Sequence, residues 1–215
     1  MKLFLDTANL DDIVSRYETG LIAGITTNPT LVRKSGVDYH EFIATCCEAF
    51  PTLESVSAEV SGETAEEMIE EAATYLPLGS AVTIKVPLNR EGLKACKTLR
   101  DRNVKVNVTL CFATDQAILT GLADATYISP FVGRMDDNLF GGISLIRNIS
   151  QIYKAHGVKT QILSASIRDS ASVAQSFLNG ADVCTIPPSV FDKMYTNVLT
   201  DSGLNIFNED FKQIK

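Results

Sequence analysis

One pattern governs this chain. A short apolar segment ends in polar or ionisable residues, a helix-like stretch follows, and the unit recurs eight times. The spacing predicts strands over 2–6, 24–27, 55–60, 81–86, 104–110, 125–129, 160–165 and 183–186. Helices are predicted after Asn9, over 38–50, 64–75, 89–101, 114–122, 142–155 and 170–179, and near Pro188. The signals are physical: Asn9 and Asn89 suit N-caps, Gly180 suits the position after a helix end, and Pro188 suits a first helical turn. "EEMIEEA" carries the helical period. "NPTLVRKSG" and "PFVGRMDDN" read as loops. The strands read as mostly apolar rather than strictly alternating, as strands covered on both faces do.

Eight such units in unbroken order predict one (β/α)8 TIM barrel domain over 1–215, of α/β class. The rival is an open doubly wound sheet, which usually carries a glycine-rich loop after its first strand. Here strand one runs into "DTANL", with no phosphate loop. The tail, about 197–215, exceeds what the eighth unit needs and reads as an extra C-terminal helix. Phe207 and Phe211, four residues apart, would put an apolar face on the barrel or on a neighbouring subunit.

Composition narrows the function. A length of 215 residues allows one substantial core. A net charge of -7 disfavours a general nucleic-acid binder but permits a local basic pocket. Asp6 breaks the N-terminal apolar run too early for a signal peptide, and no run is long enough to predict a membrane helix. The five cysteines are odd in number and irregularly spaced, which predicts buried thiols in a reducing, cytoplasmic compartment. Without HExxH or a Cys/His cluster, no metal is expected, and the reading needs no cofactor.

Barrel enzymes collect their chemistry at strand C-termini. Lys85 is the only charge in "AVTIKVPL", and a lysine there must be paired or poised as a neutral amine. An apolar interior and nearby cations would lower its pKa and make it a nucleophile toward a ketone, whereas a lysine snorkelling to solvent is the plainer alternative. Asp6 and Glu59 end strands one and three and could move protons. Asp6 could instead cap a helix, and Glu59 could merely pair with Lys85. Thr109 could hold a water with Glu59. Asn28, Asn107 and Ser129 could hold hydroxyls, or serve as turn and structural groups. Arg134, Ser166 and Arg168 follow strands six and seven, where barrels often bind phosphate, although either arginine alone could be ordinary surface charge. His40 and His156 fall on the outer layer and carry no catalytic signal.

The segments "LDTAN", "GITTNPTL", "AEV", "IKVPL", "NVTLCF", "ISPFVGR" and "SASIR", in this order, resemble the short transaldolase family, which includes fructose-6-phosphate aldolases. The resemblance spans nearly the whole chain. It implies a barrel of class I aldolase type, with Lys85 as the Schiff-base lysine and Asp6 as acid/base. It implies that Glu59 and Thr109 position a water. By the same resemblance Asn28, Asn107 and Ser129 contact a dihydroxyacetone portion, and Arg134, Ser166 and Arg168 bind phosphate. The aldolase branch typically has Gln, Tyr, Gly and Ala where this chain has Glu59, Phe131, Asn107 and Ser129, so the resemblance favours the transaldolase branch. A tyrosine hydroxyl there would help protonate an enamine and free dihydroxyacetone, and Phe131 cannot. Sugar phosphates are the expected partners, with a homo-oligomer, pentamer or decamer, as the expected assembly. The alternatives are a direct fructose-6-phosphate aldolase and a non-catalytic sugar-phosphate-binding barrel.

Overall fold

The computed structural model describes residues 1–214. Eight parallel strands close in sequence order: β1 (Lys2–Asp6), β2 (Ile22–Thr26), β3 (Ser55–Glu59), β4 (Val82–Pro87), β5 (Val106–Cys111), β6 (Tyr127–Pro130), β7 (Gln161–Ser164) and β8 (Val183–Ile186), with β8 pairing back onto β1. The expected (β/α)8 barrel is the observed fold. Its outer layer comprises α1 (Leu10–Tyr17), α2 (Pro29–Ser35), α3 (Tyr39–Ala49), α4 (Ala65–Tyr75), α5 (Arg90–Asp101), α6 (Thr114–Leu122), α7 (Val132–Asp136), α8 (Gly142–His156), α9 (Ser170–Leu178) and α10 (Pro188–Lys193), followed by α11 (Val198–Ile214). Among the described residues, no helix is long and apolar enough to cross a membrane.

The strands alternate, contrary to the sequence reading. Leu5, Val56, Ala58, Ile84, Val86, Val108 and Ile128 belong to the large core, between barrel and helices. Their neighbours Phe4, Tyr127, Leu163 and Val183 form a separate cluster that fills the lumen. One step further along each strand on that inner face stand Asp6, Glu59, Lys85, Asn107 and Ser129. The inner residues are polar at the C-terminal end, so the strands looked neither continuous nor amphipathic in sequence. A two-residue period had in fact set every side chain's direction.

The lumen plug forces one glycine. Phe4 packs edge-on against Tyr127 at 5.8 Å, and a Cβ on Gly24 would meet the Phe4 ring at 2.7 Å. Such an aromatic pair contributes about 0.5–1.5 kcal/mol beyond its area. It also seals the barrel beneath the polar layer.

The predicted caps are present. Asn9 accepts from Asp12 N at 3.2 Å, Asn89 from Gly92 N at 2.7 Å, and Gly180 follows α9 at φ 99°. Two predicted loops are helices instead. "NPTLVRKSG" folds as α2: Asn28 accepts from Leu31 N at 3.1 Å, Pro29 takes the first turn, and Gly36 ends the helix at φ 70°. "PFVGRMDDN" contains α7, a single turn that Asp136 ties to the start of α8 by accepting from Gly142 N at 2.7 Å. Both are too short to carry a clear apolar period; α2 could have been announced only by its Asn28 cap, and α7 has no side-chain cap to announce it.

Candidate active site

The inner polar layer opens into a cavity of about 650 Å³ at the C-terminal mouth of the barrel. All eleven residues singled out from sequence line it. They come from different strands, and closure of the barrel brings them together.

At the floor lies Lys85, only 6% exposed. Strands β3 and β4 run in register so that Glu59 stands beside it. Lys85 Nζ donates to Glu59 Oε2 at 2.9 Å and to the backbone oxygen of Thr27 at 2.9 Å. The charge is therefore paired, as burial requires. The same carboxylate is placed to take the proton that the amine must lose before it can attack.

Asp6 approaches from β1 and accepts from Thr26 Oγ1 at 2.9 Å, while Thr185 shares that hydroxyl. Burial raises the Asp6 pKa above its usual 3.8, against the opposing pull of Lys85 and the Thr26 hydrogen bond. A carboxyl raised in this way, next to a buried amine, is suited to moving a proton. The alternative reading of Asp6 as a helix cap does not apply, because Asn9 caps α1.

Asn107 and Ser129 face each other across β5 and β6. Ser129 Oγ donates to Asn107 Oδ1 at 2.7 Å, which orients the amide. Asn107 Nδ2 and Thr109 Oγ1 are both buried without a protein partner. Buried polar atoms are usually satisfied. Two unsatisfied ones beside the lysine are open to a water or a substrate hydroxyl. Asn28 spends its side-chain oxygen on the α2 cap, a role sequence had left open, and still lines the cavity.

The outer wall is basic. The Arg134 guanidinium lies 4.9 Å from the Phe131 ring centroid and 5.9 Å from that of Phe112, within cation–π reach of both. Beside α7, Arg168 donates to Asp137 Oδ2 at 3.0 Å, with both side chains about half exposed. Ser166 sits at φ 61°. Its backbone oxygen lies so close to α7 that a Cβ on Gly133 would meet it at 1.8 Å. This contact brings the loop bearing Ser166 and Arg168 against the helix bearing Arg134.

Sequence reasoning missed Thr26, Thr185 and Phe112. The first two were detectable as the inward polar positions of β2 and β8. Phe112 gave no signal, because its role depends on the stack. His40 contacts Thr74 O at 3.1 Å outside the barrel, and both histidines lie away from the cavity. The five cysteines are unpaired, and four are buried. Burial holds the Cys96, Cys111 and Cys184 thiols up at about 12, so they remain protonated.

A family model described as Transaldolase/Fructose-6-phosphate aldolase matches residues 3–215. The chain belongs to this family. Similar curated proteins include a probable transaldolase of Caulobacter vibrioides (strain NA1000 / CB15N), 47% identical, covering 98% of this chain and 96% of its own. A probable transaldolase of Ruegeria sp. (strain TM1040) is 47% identical, covering 99% and 97%. Probable transaldolase 2 of Bacillus anthracis is 44% identical, covering 98% and 97%. The crystal structure of a 3-hexulose-6-phosphate synthase superposes with a TM-score of 0.64 at 18% identity, covering 89% of this chain and 92% of that one, a likeness of fold.

Proposed function

We propose that the protein is a transaldolase that carries a dihydroxyacetone unit between sugar phosphates on Lys85. The observation that carries the reading is the buried Lys85–Glu59 pair, 2.9 Å apart, at the floor of a cavity that also holds Asp6 and the unpartnered Thr109 hydroxyl. A binding protein has no need of a buried amine with two carboxylates beside it.

The chemistry follows in order. Lys85 gives a proton to Glu59, and its nitrogen lone pair attacks C2 of a ketose phosphate such as fructose 6-phosphate or sedoheptulose 7-phosphate. The C2 oxygen takes one proton from the attacking nitrogen to become a hydroxyl, and then leaves as water with the proton from Glu59, relayed through a water held by Thr109. The product is an iminium. The Asp6 carboxylate takes the C4 hydroxyl proton, the C3–C4 bond breaks, and its electron pair moves into the iminium to give an enamine. The aldose phosphate departs. A second aldose phosphate enters, the enamine carbon attacks its aldehyde, and Asp6 returns the proton to the new alkoxide. Water then frees the new ketose phosphate. Asn28, Asn107 and Ser129 are assigned to the hydroxyls of the three-carbon unit. Arg134, Ser166 and Arg168 are assigned to the phosphate, with Arg168 exchanging Asp137 for it. Binding at this remote end orients the reacting carbons.

Transfer is favoured over release because the ring at Phe131 offers no hydroxyl to protonate the enamine and packs instead against Arg134. The test is a paired product assay with fructose 6-phosphate, with and without erythrose 4-phosphate. Glyceraldehyde 3-phosphate that appears only with acceptor, together with sedoheptulose 7-phosphate, supports transaldolase. Sustained release without acceptor, with free dihydroxyacetone, supports the aldolase. Phosphate binding without covalent trapping supports a binding barrel.

The assembly is part of the same reading. The chain forms one barrel domain, and its tail, α11, packs on a neighbouring subunit of a homo-oligomer, pentamer or decamer. Lys215, the last residue of the expected tail, lies outside the described residues. The unpaired cysteines support a reducing, cytoplasmic setting.

A further inference from the structure

The barrel seam beside Glu59 is incomplete. Strand β3 pairs with β4 from Val56 through Glu59. On its other side it pairs with β2 only at Ser55 and Val56. Beyond that point β2 stays with β1, where Thr26 is in register with Asp6, and the chain then turns into α2. The last part of β3 therefore has no neighbouring strand on that side.

A side chain fills the gap. Tyr39, the first residue of α3, reaches the edge of β3 from outside the barrel. Its hydroxyl accepts from Glu59 N at 2.6 Å and lies 3.5 Å from the backbone oxygen of Ser57, to which it donates. The carbonyl of one residue and the amide of the residue two further on are the pair of groups that a parallel neighbouring strand would engage. Tyr39 thus stands in for a strand. Tyr75 packs against its ring at 5.8 Å and steadies it. Burial raises the Tyr39 pKa further, so the phenol keeps its proton and can both donate and accept.

The position of this contact matters. Glu59 is the residue whose carboxylate meets Lys85 at 2.9 Å. An unanchored strand end would let that carboxylate wander, and misplacements of about 1 Å can cost on the order of a hundredfold in rate. We propose that Tyr39 is a positioning residue for the reaction, whose hydroxyl replaces the missing strand partner of β3 and so fixes the Glu59 carboxylate against Lys85. This rests on the reading that Glu59 moves protons during Schiff-base chemistry.

The test compares Tyr39→Phe, Glu59→Gln and the double variant in steady-state transfer from fructose 6-phosphate to erythrose 4-phosphate. Tyr39→Phe should lower kcat about ten- to hundredfold, with KM for fructose 6-phosphate within about twofold of the parent. The double variant should be no slower than Glu59→Gln alone, because Tyr39 acts only through that carboxylate. Replacing Tyr39 by 3-fluorotyrosine, which keeps the hydroxyl, should restore kcat. Unchanged kcat in Tyr39→Phe, or losses that multiply in the double variant, would overturn the inference while leaving Glu59 in its role. Full activity in Glu59→Gln would instead remove the reading beneath it. A measurement on the unaltered protein guards against a variant that fails to fold. The Glu59 amide should be strongly protected from hydrogen exchange, and free exchange there would also overturn the inference.

Discussion

At the residue scale, Asp6 carries a cost that fits the acid/base role proposed for it. Its pKa is raised by burial, so the folded chain holds the Asp6 proton more tightly than the unfolded chain does. Stability from this group is therefore greatest below the usual 3.8 and is lost as pH climbs through the folded value. Asp6→Asn removes that loss. It should raise the melting temperature at pH 7.5 by more than at pH 4.5 and slow transfer by roughly 10²–10⁴-fold. A gain independent of pH would contradict the burial argument, and unchanged activity would contradict the assigned role. Phe131 is the second residue on which the proposed reaction turns. Phe131→Tyr should raise the ratio of free dihydroxyacetone release to transfer by about tenfold or more, if a hydroxyl there protonates the enamine. An unchanged ratio in the paired product assay would show that this ring does not govern the enamine.

At the element scale, the strands and helices were legible because each unit of the barrel is local: a few apolar residues, a cap, and an amphipathic stretch. The pattern within a strand was harder to read. "SVSAE" and "TIKVP" alternate between lumen and core, yet a small inward Ser57 and a long inward Lys85 do not look like one face until the barrel closes. The candidate site was legible wherever one residue type announced itself, as Lys85 did. It was illegible where the role depends on register, as with Tyr39 and Phe112. The short helices α2 and α7 escaped because one or two turns are too few to show a period. Of the two, α7 is the more exacting, since Gly133 allows the Ser166 carbonyl to sit where a Cβ would lie. Gly133→Ala must push the Ser166–Arg168 loop away from Arg134. It should cost about 1–3 kcal/mol of stability and raise KM for sugar phosphates more than it lowers kcat. A chemical melt and steady-state kinetics would check both, and an unchanged KM would separate this contact from phosphate binding.

At the scale of the whole molecule, α11 is the unfinished part. It has no buried residue, and Leu204, Phe207, Phe211 and Ile214 recur at intervals of three and four along one face. Burying one such side chain contributes about 1.5–3 kcal/mol, so the stripe is a strong candidate for contact with a second copy. Removal of residues 198–215 should shift the protein to a smaller species in sedimentation velocity. An unchanged number of subunits per particle would show that the tail does not hold the proposed assembly together. The barrel itself places every proposed catalytic group on one mouth, so this truncation leaves the floor of the cavity intact.

The proposed chemistry turns on Lys85, and covalent trapping tests it most directly. Fructose 6-phosphate and borohydride should leave a reduced three-carbon adduct on the Lys85 peptide, located by mass spectrometry, and none on the Lys85→Ala variant. An adduct retained in that variant at another lysine, or no adduct in the unaltered protein while transfer proceeds, would contradict a Schiff base at Lys85.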